Sequence, residues 1–147
     1  TQIASSFLSA VGASAGPLYA TALMRGGGAV KDKNSLDAMS FSLFLNAAAN
    51  GIKERGKAEI GDKTMLDVWI PAADEMKKKA SEGANLMEAL ECTVNTAENA
   101  MNNTKNLLAK KGRSSKLGNR SIGHIDPGAA SSFAIINSIF QTLKEMN

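Results

Sequence analysis

The sequence has few of the residues that indicate disulfide, metal or membrane chemistry. It has one cysteine, Cys92, so no disulfide can form within the chain, and a reducing, cytoplasmic setting is expected. The one histidine, His124, has no cysteine, aspartate or glutamate partners at zinc-binding spacing. No apolar run is long enough to cross a bilayer, and the start has no cationic signal-peptide segment. These absences favour a protein without a structural metal or a membrane anchor.

The length of 147 residues predicts a single domain, 1–147, that is large enough to bury a core. The chain does not begin with methionine, and it enters an apolar helical pattern at once. We therefore expect further residues upstream of Thr1.

Acidic residues are absent between Lys105 and Arg120, although six cations lie there. The whole chain has 17 Lys and Arg against 14 Asp and Glu, so 11 cations and 14 acids remain outside this segment. Such a local cationic patch predicts an anionic ligand or partner. A solvated helix end explains Lys105, Lys110 and Lys111 equally well, because cations are favourable at helix C-termini.

Aromatic residues are also absent from the cationic segment, so nothing there could stack on nucleic-acid bases. The segment is broken by glycine and serine and has no amphipathic period, which argues against binding to a membrane surface. We expect neither a nucleic-acid nor a membrane partner.

The periodicity is helical nearly throughout and predicts an all-α fold, an antiparallel up-and-down helical bundle or barrel. The six predicted helices cover about 1–10, 17–25, 36–55, 64–80, 86–110 and 127–146. We expect glycines 26–28 to end the second helix, Asn34 or Ser35 to cap the third, and Asp126 to cap the last. Pro71 should bend the fourth helix.

Two sets of apolar residues are expected to face the core. In the third helix they are Leu36, Met39, Leu43 and Ala47, and in the fourth they are Met65, Val68, Trp69, Ala72 and Met76. Six methionines are interpreted as core residues: Met24, Met39, Met65, Met76, Met87 and Met101.

Alternate loops of an up-and-down bundle lie at the same end, so the loops 12–16, 56–62 and 112–125 should meet. Each precedes a helix start, whose free N–H groups and partial positive charge favour phosphate. Arg113 and Arg120 could add forked donors to phosphoryl oxygens. We therefore predict a polyphosphate site, although Asp-Pro-Gly is often only a turn and His124 is more often a loop residue than a catalyst.

Three longer motifs occur in order: "SAVGASAGPLY", "RGKAEIGDKTMLDVWIPA" and "KGRSSKLGNRSIGHIDPGA". Together they make the chain resemble the L subunit family of bacterial dihydroxyacetone kinases and the equivalent domain of single-chain kinases. The resemblance implies the last six helices of an eight-helix barrel that binds a nucleotide and Mg²⁺ at one end.

The resemblance also implies site residues. The expected nucleotide contacts are Ser14, Ala15, Gly56, Met65, Arg113, Asp126, Pro127 and Gly128. Backbone N–H groups at Ser14 and Ala15 would hold phosphate, and Gly56 and Met65 would line the adenine pocket.

Arg113 would reach the phosphates and is the expected catalytic residue, while residues 126–128 would close over the nucleotide. His124 would lie at the rim, and Trp69 and Pro71 would be structural. The family reads its first loop with the hydroxyl one place later than Ser14, so only the backbone role carries over there. Its metal-binding aspartates have no counterpart here, and we expect the Mg²⁺ ligands upstream of this chain.

The function implied is phosphoryl transfer through bound ADP or ATP. A phosphoryl-donor M subunit of the phosphotransferase system would recharge the nucleotide, and a K subunit would hold dihydroxyacetone as the acceptor. A homodimer is a further expectation. The alternatives are a truncated or degenerate non-catalytic paralogue that binds a partner, and a nucleotide-binding domain similar to fatty-acid kinases.

Overall fold

A computed structural model describes Gln2 and residues 15–146 of the chain. This part is helical and contains no β strand, which confirms the predicted all-α class. Its α helices are α1 (Ala15–Ala29), α2 (Ala38–Gly56), α3 (Leu66–Ser81), α4 (Leu86–Asn103) and α5 (Pro127–Met146). Two 3-10 helices, Thr104–Asn106 and Arg113–Ser121, lie between α4 and α5. The predicted helix 1–10 and Ser14 lie outside the described residues, apart from Gln2.

Consecutive helices pack against one another, from α1 on α2 through to α4 on α5, as an up-and-down arrangement requires. The largest fully buried apolar side chains come from α2, α3, α4 and α5: Leu45, Leu66, Val68, Met76, Leu90 and Ile136. None of the described helices combines the length and apolar character that a transmembrane span needs.

Tyr19 connects α1 to α5 by hydrogen bonds. Its hydroxyl lies 2.5 Å from Ser131 Oγ and 3.1 Å from Ser132 Oγ, and it donates to the Gly128 carbonyl at 3.3 Å. Burial raises the pKa of Tyr19 above its ordinary value. The two helices are therefore held together at the start of α5.

Glycines 26–28 do not end α1, so that prediction was wrong. The helix continues through them to Ala29. A Cβ atom on Gly26 would lie 2.8 Å from the Phe44 ring, so the missing side chain lets α1 approach α2 closely. Close packing here outweighs the helix-breaking tendency of glycine. Met24, expected in the core, is 50% exposed.

Helix α2 begins later than predicted and turns a different face to the core. Its cap is Asp37, whose Oδ1 accepts a hydrogen bond from Ser40 N at 2.7 Å, rather than Asn34 or Ser35. Leu36, Met39 and Leu43 are exposed. The buried apolar stripe consists of Ala38, Phe41, Leu45, Ala48, Ala49 and Ile52. Small alanines on this stripe allow close contact with the flanking helices, so this face of α2 is the buried one.

Helix α3 agrees with its predicted face. Met65, just before it, and Val68, Trp69, Ala72 and Met76 within it are all buried. The helix runs on through Pro71 as one element.

Helix α4 ends at Asn103 instead of continuing to residue 110. Thr104 follows it, and its hydroxyl donates to Met101 O at 2.6 Å and accepts from Asp126 N at 3.0 Å. The chain therefore turns at Thr104, because this fully buried residue is bonded to the start of α5.

Candidate functional site

A cavity of about 890 Å³ lies at the end of the bundle where the chain enters α3 and α5. We call it the polar cavity. The described residues that line it are Ala15, Pro17, Leu18, Arg55, Gly56, Ala58, Lys63, Thr64, Met65, Lys111, Gly112, Arg113, Ser114, Asp126, Pro127 and Gly128. Its volume is within the range of small-molecule sites.

The structure brings most of the predicted site residues together on this cavity. Seven of the eight line it, namely Ala15, Gly56, Met65, Arg113, Asp126, Pro127 and Gly128, whereas Ser14 lies outside the described residues. Of the three loops predicted to converge, the structure places on this cavity Ala15 of the first, Gly56 and Ala58 of the second, and Gly112, Arg113 and Ser114 of the third. His124 and Arg120 are exposed and do not line the cavity, so Arg120 is not placed to act there. What each residue contacts in a ligand stays a prediction.

The start of α5 is capped by Asp126, as predicted. The Asp126 Oδ2 atom accepts a hydrogen bond from Ala129 N at 2.8 Å, and the Gly128 N–H also bonds to this carboxylate. These two amides are therefore not free for phosphate, contrary to the simplest expectation for a helix start. Burial raises the pKa of Asp126, while the two amide bonds oppose that shift and the nearby Asp67 adds to it.

Gly128 lies close to the residue that precedes α3. A Cβ atom there would lie 2.9 Å from Asp126 Oδ2 and 3.2 Å from the Met65 backbone N. Both neighbours are held in place by backbone and capping bonds, so they have little freedom to move. Gly128 is thus needed for the shape of this cavity wall.

The loop before α3 is organised by Asp67, which the sequence analysis did not single out. Its Oδ2 accepts from Thr64 N at 2.7 Å, and its Oδ1 accepts from Gly61 N at 2.5 Å. Asp67 is 6% exposed. One buried carboxylate therefore fixes the turn that presents Thr64 and Met65 to the cavity.

Lys63, in the same turn, was also missed. It is 2% exposed and has a left-handed backbone with φ 61°, a conformation that costs a non-glycine residue roughly 1–2 kcal/mol. Its Nζ donates to the carbonyl oxygens of Leu107, at 3.2 Å, and of Ser121. The sequence signal was "GDKT", which occurs too often by chance to be assigned a role.

The polar cavity is lined by both cationic and apolar residues. Four of its lining residues are cations, Arg55, Lys63, Lys111 and Arg113, against one carboxylate. The apolar lining includes Pro17, Leu18, Ala58 and Met65. A ligand that carries both a flat apolar group and negative charge would match this lining.

Mg²⁺ does not fit the described residues of this end. Within residues 15–146, no three His, Cys, Asp or Glu side chains form a group that could hold a metal. The carboxylates of Asp67 and Asp126 are engaged by backbone N–H groups.

A second cavity, of about 460 Å³, lies between α1, α3 and α5 and is mainly apolar. We call it the apolar cavity. Its described lining is Tyr19, Ala22, Leu23, Trp69, Ala134, Ile135, Ser138 and Ile139. The Trp69 indole N–H is buried and has no hydrogen-bond partner among the described residues.

The sequence matches a known protein family over most of its length. A family model described as "DAK2 domain" matches residues 1–141. The chain is 39% identical over 138 residues to the ADP-binding subunit DhaL of the PEP-dependent dihydroxyacetone kinase of Escherichia coli. That match covers 94% of this chain and 66% of the relative.

Two other relatives differ in length and organisation. The ADP-binding subunit DhaL of PEP-dependent dihydroxyacetone kinase 1 from Listeria innocua is 40% identical, over 92% of this chain and 62% of its own. The human triokinase/FMN cyclase is 36% identical, over 93% of this chain but only 24% of its own. This chain thus spans about two thirds of its bacterial relatives.

A solved structure shares the fold. The dihydroxyacetone kinase of C. freundii superposes with a TM-score of 0.66 at 21% identity, covering 99% of this chain and 23% of that one. At this level of identity the likeness concerns the helical architecture.

Proposed function

We propose, since this chain belongs to the DAK2 domain family, that its polar cavity binds ADP or ATP and that it serves as the nucleotide-binding phosphotransfer subunit of a dihydroxyacetone kinase. The relatives named as ADP-binding subunits support this reading. Within the structure, it is supported by one observation: cationic and apolar residues line the same cavity, whose volume suits a nucleotide. Kinase activity, substrate and partners are parts of the proposal.

The two kinds of lining residue suit the two halves of a nucleotide. The adenine ring would lie against Leu18, Met65 and the backbone at Gly56, where apolar contact is available and no side chain projects from the glycine. The α5 start, residues 126–128, would close over the ribose side. The phosphates would then extend toward Lys111 and Arg113 on the facing loop.

Arg113 is the proposed catalytic residue. It lies in the 3-10 helix Arg113–Ser121, immediately after Gly112, whose φ of 69° turns the chain at the cavity. Its guanidinium can donate two parallel hydrogen bonds to phosphoryl oxygens and can stabilise the negative charge of the group in transfer. Mg²⁺, whose ligands are expected upstream of this chain, would neutralise phosphate charge further.

The proposed partners follow from the family. A phosphotransferase-system M subunit would supply the phosphoryl group, and a K subunit would present dihydroxyacetone, in a cytoplasmic complex. The end of the bundle that carries the polar cavity would have to face both partners in turn, because the phosphates of the bound nucleotide would be exposed there. A homodimer is compatible with this arrangement.

The test is calorimetric titration of the protein with ADP, using Arg113→Ala and the control Arg120→Ala. Hydrogen bonds to a charged group contribute about 1.5–3 kcal/mol, so Arg113→Ala should weaken ADP binding by roughly 10- to 100-fold. Arg120 is in the same 3-10 helix but off the cavity, so its removal should change affinity less than about twofold.

If Arg113→Ala binds ADP as tightly as Arg120→Ala and wild type do, Arg113 does not contact the nucleotide. A wild-type protein that forms a complex with a K subunit but binds no ADP would favour the non-catalytic partner-binding alternative. Transfer of the γ-phosphoryl group of ATP to a fatty acid, with release of ADP, would favour the fatty-acid kinase alternative.

A further inference from the structure

We propose that Lys63 is a positioning residue that holds the Arg113-bearing loop against the polar cavity by clamping both ends of that loop. The identity of the ligand rests on the proposed function, whereas the clamp rests on the geometry of this chain. Lys63 acts through the backbone of the loop and not by touching the reacting phosphate.

The burial of Lys63 is the first observation. A lysine is almost never fully buried unless its ammonium group is bonded. Here Nζ donates to the carbonyls of Leu107 and Ser121. Among the described residues no carboxylate forms an ion pair with it within 4.0 Å. The ammonium is therefore held by backbone oxygens.

The position of these two carbonyls is the second observation. Leu107 and Ser121 immediately precede and follow the segment 108–120, which we call the clamped loop. The clamped loop contains Lys111 and Arg113, both of which line the polar cavity. One ammonium group thus joins the point where the loop departs to the point where it returns.

Other bonds close the base of the clamped loop around the same lysine. Ser121 Oγ accepts from Ala109 N at 3.0 Å, and Lys110 N donates to Asp62 O at 3.1 Å. Just outside the loop, Gly123 N donates to Lys105 O at 2.6 Å. Lys63 is the one charged side chain in this set of bonds, and it comes from the turn between α2 and α3.

The backbone of Lys63 supports the same conclusion. It adopts the left-handed region with φ 61°, which favours glycine, and yet a long cationic side chain occupies it. The flanking turn is fixed by Asp67, so the lysine side chain is directed at the loop base and not at solvent. Its positive charge also remains on the cavity wall, where it favours an anion.

Removing the ammonium would take this donor away from the buried Ser121 carbonyl and the partly buried Leu107 carbonyl, and it would release both ends of the clamped loop. The loop would still be present, but Lys111 and Arg113 would no longer be held at the phosphate end. The adenine side, formed by α1 and the start of α3, would keep its structure. Lys63 therefore should affect the phosphate half of a nucleotide more than the adenosine half.

The experiment compares Lys63→Met with wild type and with the control Lys116→Met, which removes an equal charge from an exposed position in the same loop. Affinities for ADP and for adenosine are measured by calorimetry, and amide hydrogen exchange is followed at Ala109. Lys63→Met should weaken ADP binding at least about tenfold and adenosine binding less than twofold. The Ala109 amide should lose protection only in this variant.

An equal loss for ADP and adenosine would show a general structural role and would overturn the proposal. So would wild-type ADP affinity in Lys63→Met. If that variant is unfolded by circular dichroism, Lys63→Gln, which keeps a shorter donor, replaces it, and unfolding of both variants would also overturn the proposal. If wild type binds no ADP, the proposed function fails separately, while Ala109 exchange in Lys63→Met still decides whether the clamp exists.

Discussion

The helical body and the loop end of this molecule are held together by different forces. In the body, buried side chains such as Leu45, Leu90 and Ile136 are apolar and pack between helices. At the loop end, the buried side chains include Lys63, Asp67, Thr104, Ser121 and Asp126, and each of them bonds to backbone atoms. Apolar packing supplies stability without direction, whereas these hydrogen bonds fix the course of particular turns. Stability and ligand binding should therefore respond to different substitutions.

The largest expected effect on stability belongs to the body. Leu90→Ala removes a fully buried side chain from α4 and leaves a cavity, which should lower the free energy of unfolding by about 2–5 kcal/mol. Because Leu90 is not on the polar cavity, the ADP affinity of the folded protein should stay within about twofold of wild type. Urea unfolding and calorimetry measure the two quantities. A large loss of ADP affinity with a small loss of stability would contradict the division between body and loop end.

Gly128→Ala should affect both quantities. The added Cβ would meet Asp126 Oδ2 and the Met65 backbone, so we expect a loss of about 1–3 kcal/mol and weaker ADP binding as α5 moves away from α3. The matched control is Gly27→Ala in α1, where a Cβ meets nothing within 4 Å. That control should raise the free energy of unfolding by roughly 0.5–1 kcal/mol and leave ADP binding unchanged. If both substitutions change the free energy of unfolding in the same direction, the close contact at Gly128 does not explain the effect of Gly128→Ala.

The smallest effect should come from Asp126→Asn, and it should depend on pH. Burial raises the pKa of Asp126, so the folded protein holds its proton more tightly than the unfolded chain. The Asp126 carboxyl therefore stabilises the folded state at pH values below its ordinary pKa of 3.8. This contribution is lost as the pH rises through the raised pKa of the folded state. Asparagine caps a helix about as well as aspartate, so the change itself should cost less than the roughly 1 kcal/mol of a lost cap.

Asp126→Asn should therefore gain stability relative to wild type as the pH is raised from below 3.8 to neutrality. Denaturant unfolding of both proteins across this interval measures the difference. A difference that stays constant with pH would show that the Asp126 carboxyl titrates alike in the folded and unfolded states.

The elements that were predicted correctly are those whose signals are local. The cap at Asp126 and the buried face of α3 follow from short-range patterns, namely Asp-Pro-Gly before an apolar helix and a regular apolar spacing. The convergence of the loops on the polar cavity followed from one assumption, that alternate loops of an up-and-down bundle share an end.

The predictions were wrong where a residue far away in the sequence determines the local structure. Glycine at position 26 suggests a helix end, but it is needed for the close contact with Phe44. The buried face of α2 was predicted to carry leucine and methionine, whereas the face with the alanines is the one that packs against the neighbouring helices. The early end of α4 depends on Thr104, which bonds to Asp126 N more than twenty residues later.

The part of the site that sequence reasoning missed is its internal support. Lys63 and Asp67 look like surface charges of a polar turn, and only their burial shows that they organise the cavity walls. The residues expected to touch the ligand were found through resemblance to relatives, whereas the residues that hold those residues in place have no such short motif.

The polar cavity takes its walls from the first described turn of α1, the α2–α3 turn and the segments before α5, which are widely separated along the chain. No proteolytic fragment that lacks one of them would keep the whole site. The proposed nucleotide, at 100 times its dissociation constant, would add about 2.7 kcal/mol to the unfolding free energy. Its supply would then also govern how long the domain survives heat and proteases.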